Sequence, residues 1–148
     1  MLTAEENERL TRVGRGTPMG ELVRRFWLPF LQVSDIAEPD GPPVRVTLLG
    51  EQLVAFRDTS GRVGLIDRLC AHRCANLFFA RNEENGLRCT YHGWKYNVEG
   101  RCIDMPTEDA ASALKDNIRL TAYPVQEKAG ILWTYMGPRD QIPELPEF

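Results

Sequence analysis

Histidine is scarce in this 148-residue sequence, which contains two, and cysteine numbers only four. No apolar run is long: the longest, 26–31, is six residues broken by Pro29, far short of the ~20 needed to cross a bilayer. No basic stripe exists either, since the net charge of −3 comes from interspersed charges, so neither nucleic acid nor a membrane is an expected partner. The polar, acidic start, 1–12, lacks the apolar stretch of a secretory leader, and a cytoplasmic chain is expected. In a reducing compartment four cysteines point to metal binding or catalysis before disulfides. A chain of this length buries roughly 70% of its unfolded surface, enough for one core.

Two short helices are expected first. Thr3-Ala4-Glu5-Glu6 reads as an N-cap with an acidic first turn, followed by Leu10 and Val13 as an apolar face and stopped by Gly14 and Gly16. Thr17-Pro18 opens a second helix, with Leu22, Val23 and Phe26 expected to face inward. After a Pro/Gly/Asp loop at 37–43 the pattern changes to short antiparallel strands at 44–49, 53–57 and 63–69, with Gly50-Glu51 and 58–61 as turns. Further strands are expected near 87–90, 93–98 and 131–135, and 107–116 reads as a helical turn or surface loop. The expected organisation is a helical lead-in over 1–36, a mainly β domain over 37–137 and a proline-spaced linker over 138–148.

What the sequence does have is concentrated in one string. Cys70-Ala71-His72 is followed, after sixteen residues, by Cys89-Thr90-Tyr91-His92-Gly93-Trp94. Both histidines lie two or three residues after a cysteine, at the ends of expected strands. Two β-loops would thus each offer one thiolate and one imidazole. A [2Fe-2S] cluster takes four protein ligands, and two histidines on one iron raise its potential above that of an all-cysteine cluster. The same four residues also compose a Cys2His2 zinc set, although a one-residue gap such as that in Cys70-Ala71-His72 is unusual for zinc.

Cys-x-His with Cys-x-x-His at this separation resembles the Rieske signature. The words Cys70-Ala71-His72-Arg73, Tyr91-His92-Gly93-Trp94-Lys95-Tyr96 and Asp104-Met105-Pro106 resemble the N-terminal Rieske domain of non-haem iron aromatic-ring-hydroxylating oxygenase large subunits, near the phthalate dioxygenase group. The resemblance implies a mainly β Rieske fold with one [2Fe-2S] cluster, Cys70 and Cys89 on an inner iron, and His72 and His92 on an outer iron facing the partner. It also implies a reductase or ferredoxin as electron donor and the mononuclear iron of an oxygenase catalytic domain or neighbouring subunit as acceptor. A trimer is implied for an intact family member, and aromatic catabolism for its setting.

The sequence departs from the family pattern in places. Cys74 stands where many relatives have glycine. Tyr91 stands where respiratory Rieske proteins carry a loop-clamping cysteine, so no such disulfide is expected. Trp94 replaces a serine that donates to a sulfide, which places the cluster low in the Rieske range of about −150 to +300 mV. Cys74 and Cys102 are expected as buried apolar residues, and Tyr91, Trp94 and Tyr96 as packing around the cluster. Arg73 reads as a donor to a carboxylate or partner, or as a solvated cation, and Glu83-Glu84 as a solvated turn. No catalytic residue is expected, because both histidines are committed to the cluster and none remain for a mononuclear iron site. A free-standing ferredoxin-like carrier is the alternative reading, and a structural zinc module a distant third.

Overall fold

A computed structural model of the chain describes residues 1–109 and 112–147. Two N-terminal helices are present. The first, α1 (Ala4–Thr11), carries a complete capping box between Thr3 and Glu6, and the second, α2 (Pro18–Val23), is capped by the Thr17 hydroxyl, which accepts from the Gly20 amide. Their expected inward faces pack only in part: α1 buries no residue, Leu10, Leu22 and Phe26 are exposed, and Val13 and Val23 are half-buried. Nor is the lead-in helical throughout. Trp27–Gln32 forms strand β1, paired antiparallel with β11 (Ile131–Tyr135). β-branched and aromatic neighbours across the pair override the helical reading, and Pro29, which cannot donate to a ladder, sits where the register shifts on this edge strand.

Three antiparallel sheets make the body. β1, β11 and β10 (Val125–Lys128) form one; β2 (Val44–Leu48), β3 (Glu51–Arg57), β4 (Val63–Asp67) and β9 (Ala122–Tyr123) form the second. The third orders β5 (Arg81–Glu83), β6 (Gly86–Arg88), β7 (Lys95–Tyr96) and β8 (Cys102–Asp104) side by side. The mainly β, short-stranded architecture expected from the sequence is therefore present. The β2–β3 turn is Leu49-Gly50, one residue earlier than read, with both residues at positive φ as a tight two-residue hairpin requires. In the 107–116 region a short α3 (Leu114–Asn117) closes the segment, while Ala110 and Ala111 lie outside the described residues.

The central strand separates two cores. On β3, Val54 and Phe56 face a core shared with Cys70, Cys89, Trp94 and Tyr96, whereas Leu53 and Ala55 face a second core with Leu65 and Leu132. Successive side chains alternate between faces, so a strand covered on both sides is apolar without alternation. The first core backs the loops that carry the Cys-x-His and Cys-x-x-His pairs. The C-terminal tail is tied down: the Trp27 indole donates to the Pro143 carbonyl (2.8 Å), Lys128 to the Pro146 carbonyl (2.8 Å), and the Tyr135 hydroxyl to the Gln141 carbonyl (3.1 Å).

Candidate metal centre

Two loops with the same backbone bonds meet at one end of the molecule. In the first, the Cys70 amide donates to the Ala75 carbonyl and the Cys70 carbonyl accepts from the Cys74 amide, both at 2.9 Å. In the second, the Cys89 amide donates to the Trp94 carbonyl (2.9 Å) and the Cys89 carbonyl accepts from the Gly93 amide (3.0 Å). Cys74 and Gly93 are thus equivalent, and both have positive φ, at 54° and 79°. Cys74 thus takes the left-handed conformation that glycine adopts at less cost. It does so on the surface, because Cys74 is exposed, contrary to the buried role expected of it, whereas Cys102 is buried with its thiol pushed up to about 11, chiefly by burial.

The loops bring the four sequence-identified residues together as two pairs, thiol beside thiol and imidazole beside imidazole. Cys70 and Cys89 are 2% and 4% exposed. Burial pushes the Cys89 thiol up and the neighbouring Cys70 adds to the shift, so two uncompensated thiolates here would repel. The imidazoles of His72 and His92 lie edge to face with centroids 4.4 Å apart. Desolvation, His72 and Arg73 together push the His92 imidazole below its ordinary range, toward the neutral form that a metal ligand needs. Nδ1 of His72 is buried without a hydrogen-bond partner. A buried nitrogen left this way costs about 1–3 kcal/mol unless something binds it.

Three aromatic residues surround this group, and they differ. Trp94 is buried, stacks on His72 (4.6 Å, 9°) and donates from its indole nitrogen to the Thr107 hydroxyl (3.1 Å). Tyr96 is fully buried; its hydroxyl accepts from the Ala71 amide (3.1 Å) and lies within hydrogen-bond distance, 3.2 Å, of the Cys70 sulfur, to which it can donate once that sulfur is a thiolate. Tyr91 does not pack as expected. It is 63% exposed, beside His92 with centroids 3.9 Å apart. Arg73 is exposed, consistent with the solvated reading, but Glu83 and Glu84 are more than a solvated turn: both pair with Arg88, and Glu84 also takes the buried Lys95 ammonium (2.9 Å). The sequence reading missed the contact of the Tyr96 hydroxyl with Cys70 and all of Arg88; the polar tip of an otherwise apolar residue two positions after Trp94 was the available signal for the first.

Among the described residues no three His, Cys, Asp or Glu side chains converge as a single-ion site would require. A [2Fe-2S] cluster makes no such demand, because each iron takes two protein ligands. An orphaned imidazole nitrogen, two facing imidazoles and two adjacent buried thiols fit that group. The fold and these loops define a small iron–sulfur domain.

The chain belongs to the Rieske [2Fe-2S] domain family, whose match spans residues 26–124, and that family carries one [2Fe-2S] cluster. It is 53% identical over 146 residues to the 3-chlorobenzoate-3,4-dioxygenase oxygenase subunit of Comamonas testosteroni, covering 99% of this chain and 34% of that protein. To the phthalate 4,5-dioxygenase oxygenase subunit of Pseudomonas putida it is 51% identical over 144 residues, covering 97% and 33%. Among solved structures, NdmA of Pseudomonas putida CBB5 superimposes with a TM-score of 0.72 at 30% identity, over 86% of this chain and 39% of that one. The chain therefore spans about a third of the length of the curated relatives it matches. The likeness to oxygenase subunits favours the oxygenase-type electron-transfer domain over a free-standing carrier. No helix among the described residues is long and apolar enough to cross a membrane.

Proposed function

We propose that Cys70, His72, Cys89 and His92 hold the [2Fe-2S] cluster and that the chain relays single electrons from a reductase or ferredoxin to the mononuclear iron of an oxygenase catalytic domain or neighbouring subunit. The buried, partnerless Nδ1 of His72 carries this reading, since coordination to iron would satisfy it. The bound group supplies a site that takes up and releases one electron. The two cysteine thiolates anchor it in the buried core, while the two imidazoles lie at the loop surface with His92 as the exit toward the acceptor. Trp94 covers His72 and limits water there. Residues 138–148 serve as the connection toward the catalytic part, in a cytoplasmic assembly. Similarity to enzymes named for 3-chlorobenzoate and phthalate supports an aromatic carboxylate as the substrate class of the whole protein.

Two outcomes follow for the cluster-loaded chain. Its potential falls as pH rises through the alkaline range: reduction weakens the pull of iron on the imidazoles and raises the pKa values of His72 and His92 as a coupled pair, so removing protons disfavours reduction. Voltammetry from neutral to about pH 10 reads this directly, and a flat profile contradicts histidine ligation. The Tyr96 hydroxyl stabilises negative charge on Cys70 more in the reduced state. Tyr96→Phe therefore lowers the potential, by about 1 kcal/mol or on the order of 40 mV for one electron. An unchanged or raised potential rules that role out.

A further inference from the structure

Arg88 occupies the end of β6, directly before Cys89, and is mostly buried, with 15% of its side chain exposed. Its Nη1 donates to two acceptors at once, the Gly93 carbonyl (3.0 Å) and the Asp104 carboxylate (2.7 Å), while Nε donates to Glu83 (2.7 Å). The two Nη1 contacts belong to different segments. Gly93 follows His92 in the second loop, and Asp104 begins the segment that passes over that loop. Pro106 of this segment lies against Gly93 so closely that a Cβ there would meet its Cγ at 2.7 Å, and Thr107 holds the Trp94 indole that stacks on His72. One guanidinium therefore ties the backbone beside His92 to the segment that, through Thr107 and Trp94, backs His72.

We propose that Arg88 is a positioning residue for electron transfer: bridging Gly93 to Asp104, it fixes both imidazoles, His92 through the loop backbone and His72 through Trp94. The inference rests on the ligand assignment proposed above. The bridge needs a nitrogen held in place: both bridging bonds leave Nη1, whose position the planar guanidinium fixes through the Nε bond to Glu83, whereas an ammonium on a flexible stem supplies the same charge without that anchor. The carboxylates of Glu83, Glu84 and Asp104 all pair with Arg88 and offset its charge. Its effect on the imidazoles is therefore directional more than electrostatic. Residues that orient metal ligands from outside commonly change metal affinity or activity by about 10- to 100-fold.

The test compares the cluster-loaded wild type with R88K and R88Q, reading the linewidth of the reduced-state electron paramagnetic resonance, the pH midpoints of the potential, and the rate at which a chelator removes iron. Wild type must first show nitrogen coupling from histidine; its absence overturns the ligand assignment. With that in place, both variants are expected to broaden the resonance, shift the imidazole midpoints alike and release iron about tenfold faster. If R88K matches wild type while R88Q does not, charge and not bridging is the cause, and the proposal fails. It also fails if both variants lose thermal stability while the resonance and the midpoints stay unchanged, since that is a purely structural role. Should neither variant retain a cluster, D104N leaves Arg88 and its bond to Gly93 in place while weakening the link to the overlying segment. Broadening smaller than a full loss of the cluster supports the bridge there, and a wild-type linewidth and midpoints overturn it.

Discussion

Replacing any one of Cys70, His72, Cys89 or His92 with alanine is expected to abolish normal cluster assembly, leaving a colourless or iron-poor protein. Each residue is one of four, and loss of one leaves an iron with a single protein ligand. The cysteine variants are expected to lose stability as well, because metal binding and folding are linked and the two thiols sit in the core beside Val54 and Phe56. Cys74→Ser and Cys102→Ser are the internal controls. Cys74 is exposed and Cys102 buried, yet neither is among the proposed ligands, so both variants are expected to keep the cluster, Cys102→Ser at some cost in stability for placing a hydroxyl in an apolar site. Iron and sulfide analysis of the six variants, with their visible spectra, checks this. Retention of a normal cluster by an alanine variant, or its loss in Cys74→Ser, contradicts the assignment.

The largest expected effect on the fold lies away from the metal centre. Glu51 begins β3 and takes three donors: Arg15 (2.8 Å), the buried Arg24 (2.7 Å) and the Tyr123 hydroxyl. Burial alone raises its pKa, but these donors outweigh that and hold the carboxyl below its usual range. Arg24 is 4% exposed, and two more of its nitrogens are buried without a partner, so Glu51 is its compensating charge. Glu51→Gln leaves a buried, unneutralised guanidinium and is expected to cost about 3 kcal/mol. The pH dependence has a definite sign. A depressed folded pKa contributes stability that is present above the unfolded value and lost as pH falls through the folded one. The gap between wild type and variant is therefore widest near neutral pH and closes below about pH 4. Chemical denaturation at several pH values reads it, and a gap that widens in acid contradicts the ionised triad.

These two sites show what was legible in the sequence. Cys70, His72, Cys89 and His92 stood out because rare residue types recur at short, fixed spacing, and the two tight loops that carry them are local structures. The strands near 44–48, 51–57, 63–67, 86–88, 95–96 and 131–135 were legible for the same reason, since turn residues and apolar segments signal locally, whereas β5, β8, β9 and β10, two to four residues long, carry too little pattern to be read. Trp27–Gln32 was not, since its strand character comes from pairing with Ile131–Tyr135, about a hundred residues away. Glu51 reads as a turn residue until α2 places Arg24 on it, and Arg88 reads as a surface cation until Asp104 folds over it. The exposed faces of α1 and α2 fail differently. Leu22 and Phe26 have helical spacing, yet spacing gives the face and not its partner. Cys74 misled because its exposure follows from the turn it completes, which glycine usually makes.

Histidine occurs at only two positions, so growing the protein with nitrogen-15 histidine labels His72 and His92 and nothing else. Pulsed electron paramagnetic resonance of the reduced, labelled chain is the most direct test of the claim that these residues hold the cluster. The account predicts two irons and two labile sulfides per chain and strong coupling to two labelled nitrogens, one of which disappears if either histidine is replaced in a variant that still assembles iron. A colourless protein with one zinc, or a cluster signal that carries no labelled-nitrogen coupling, would contradict it.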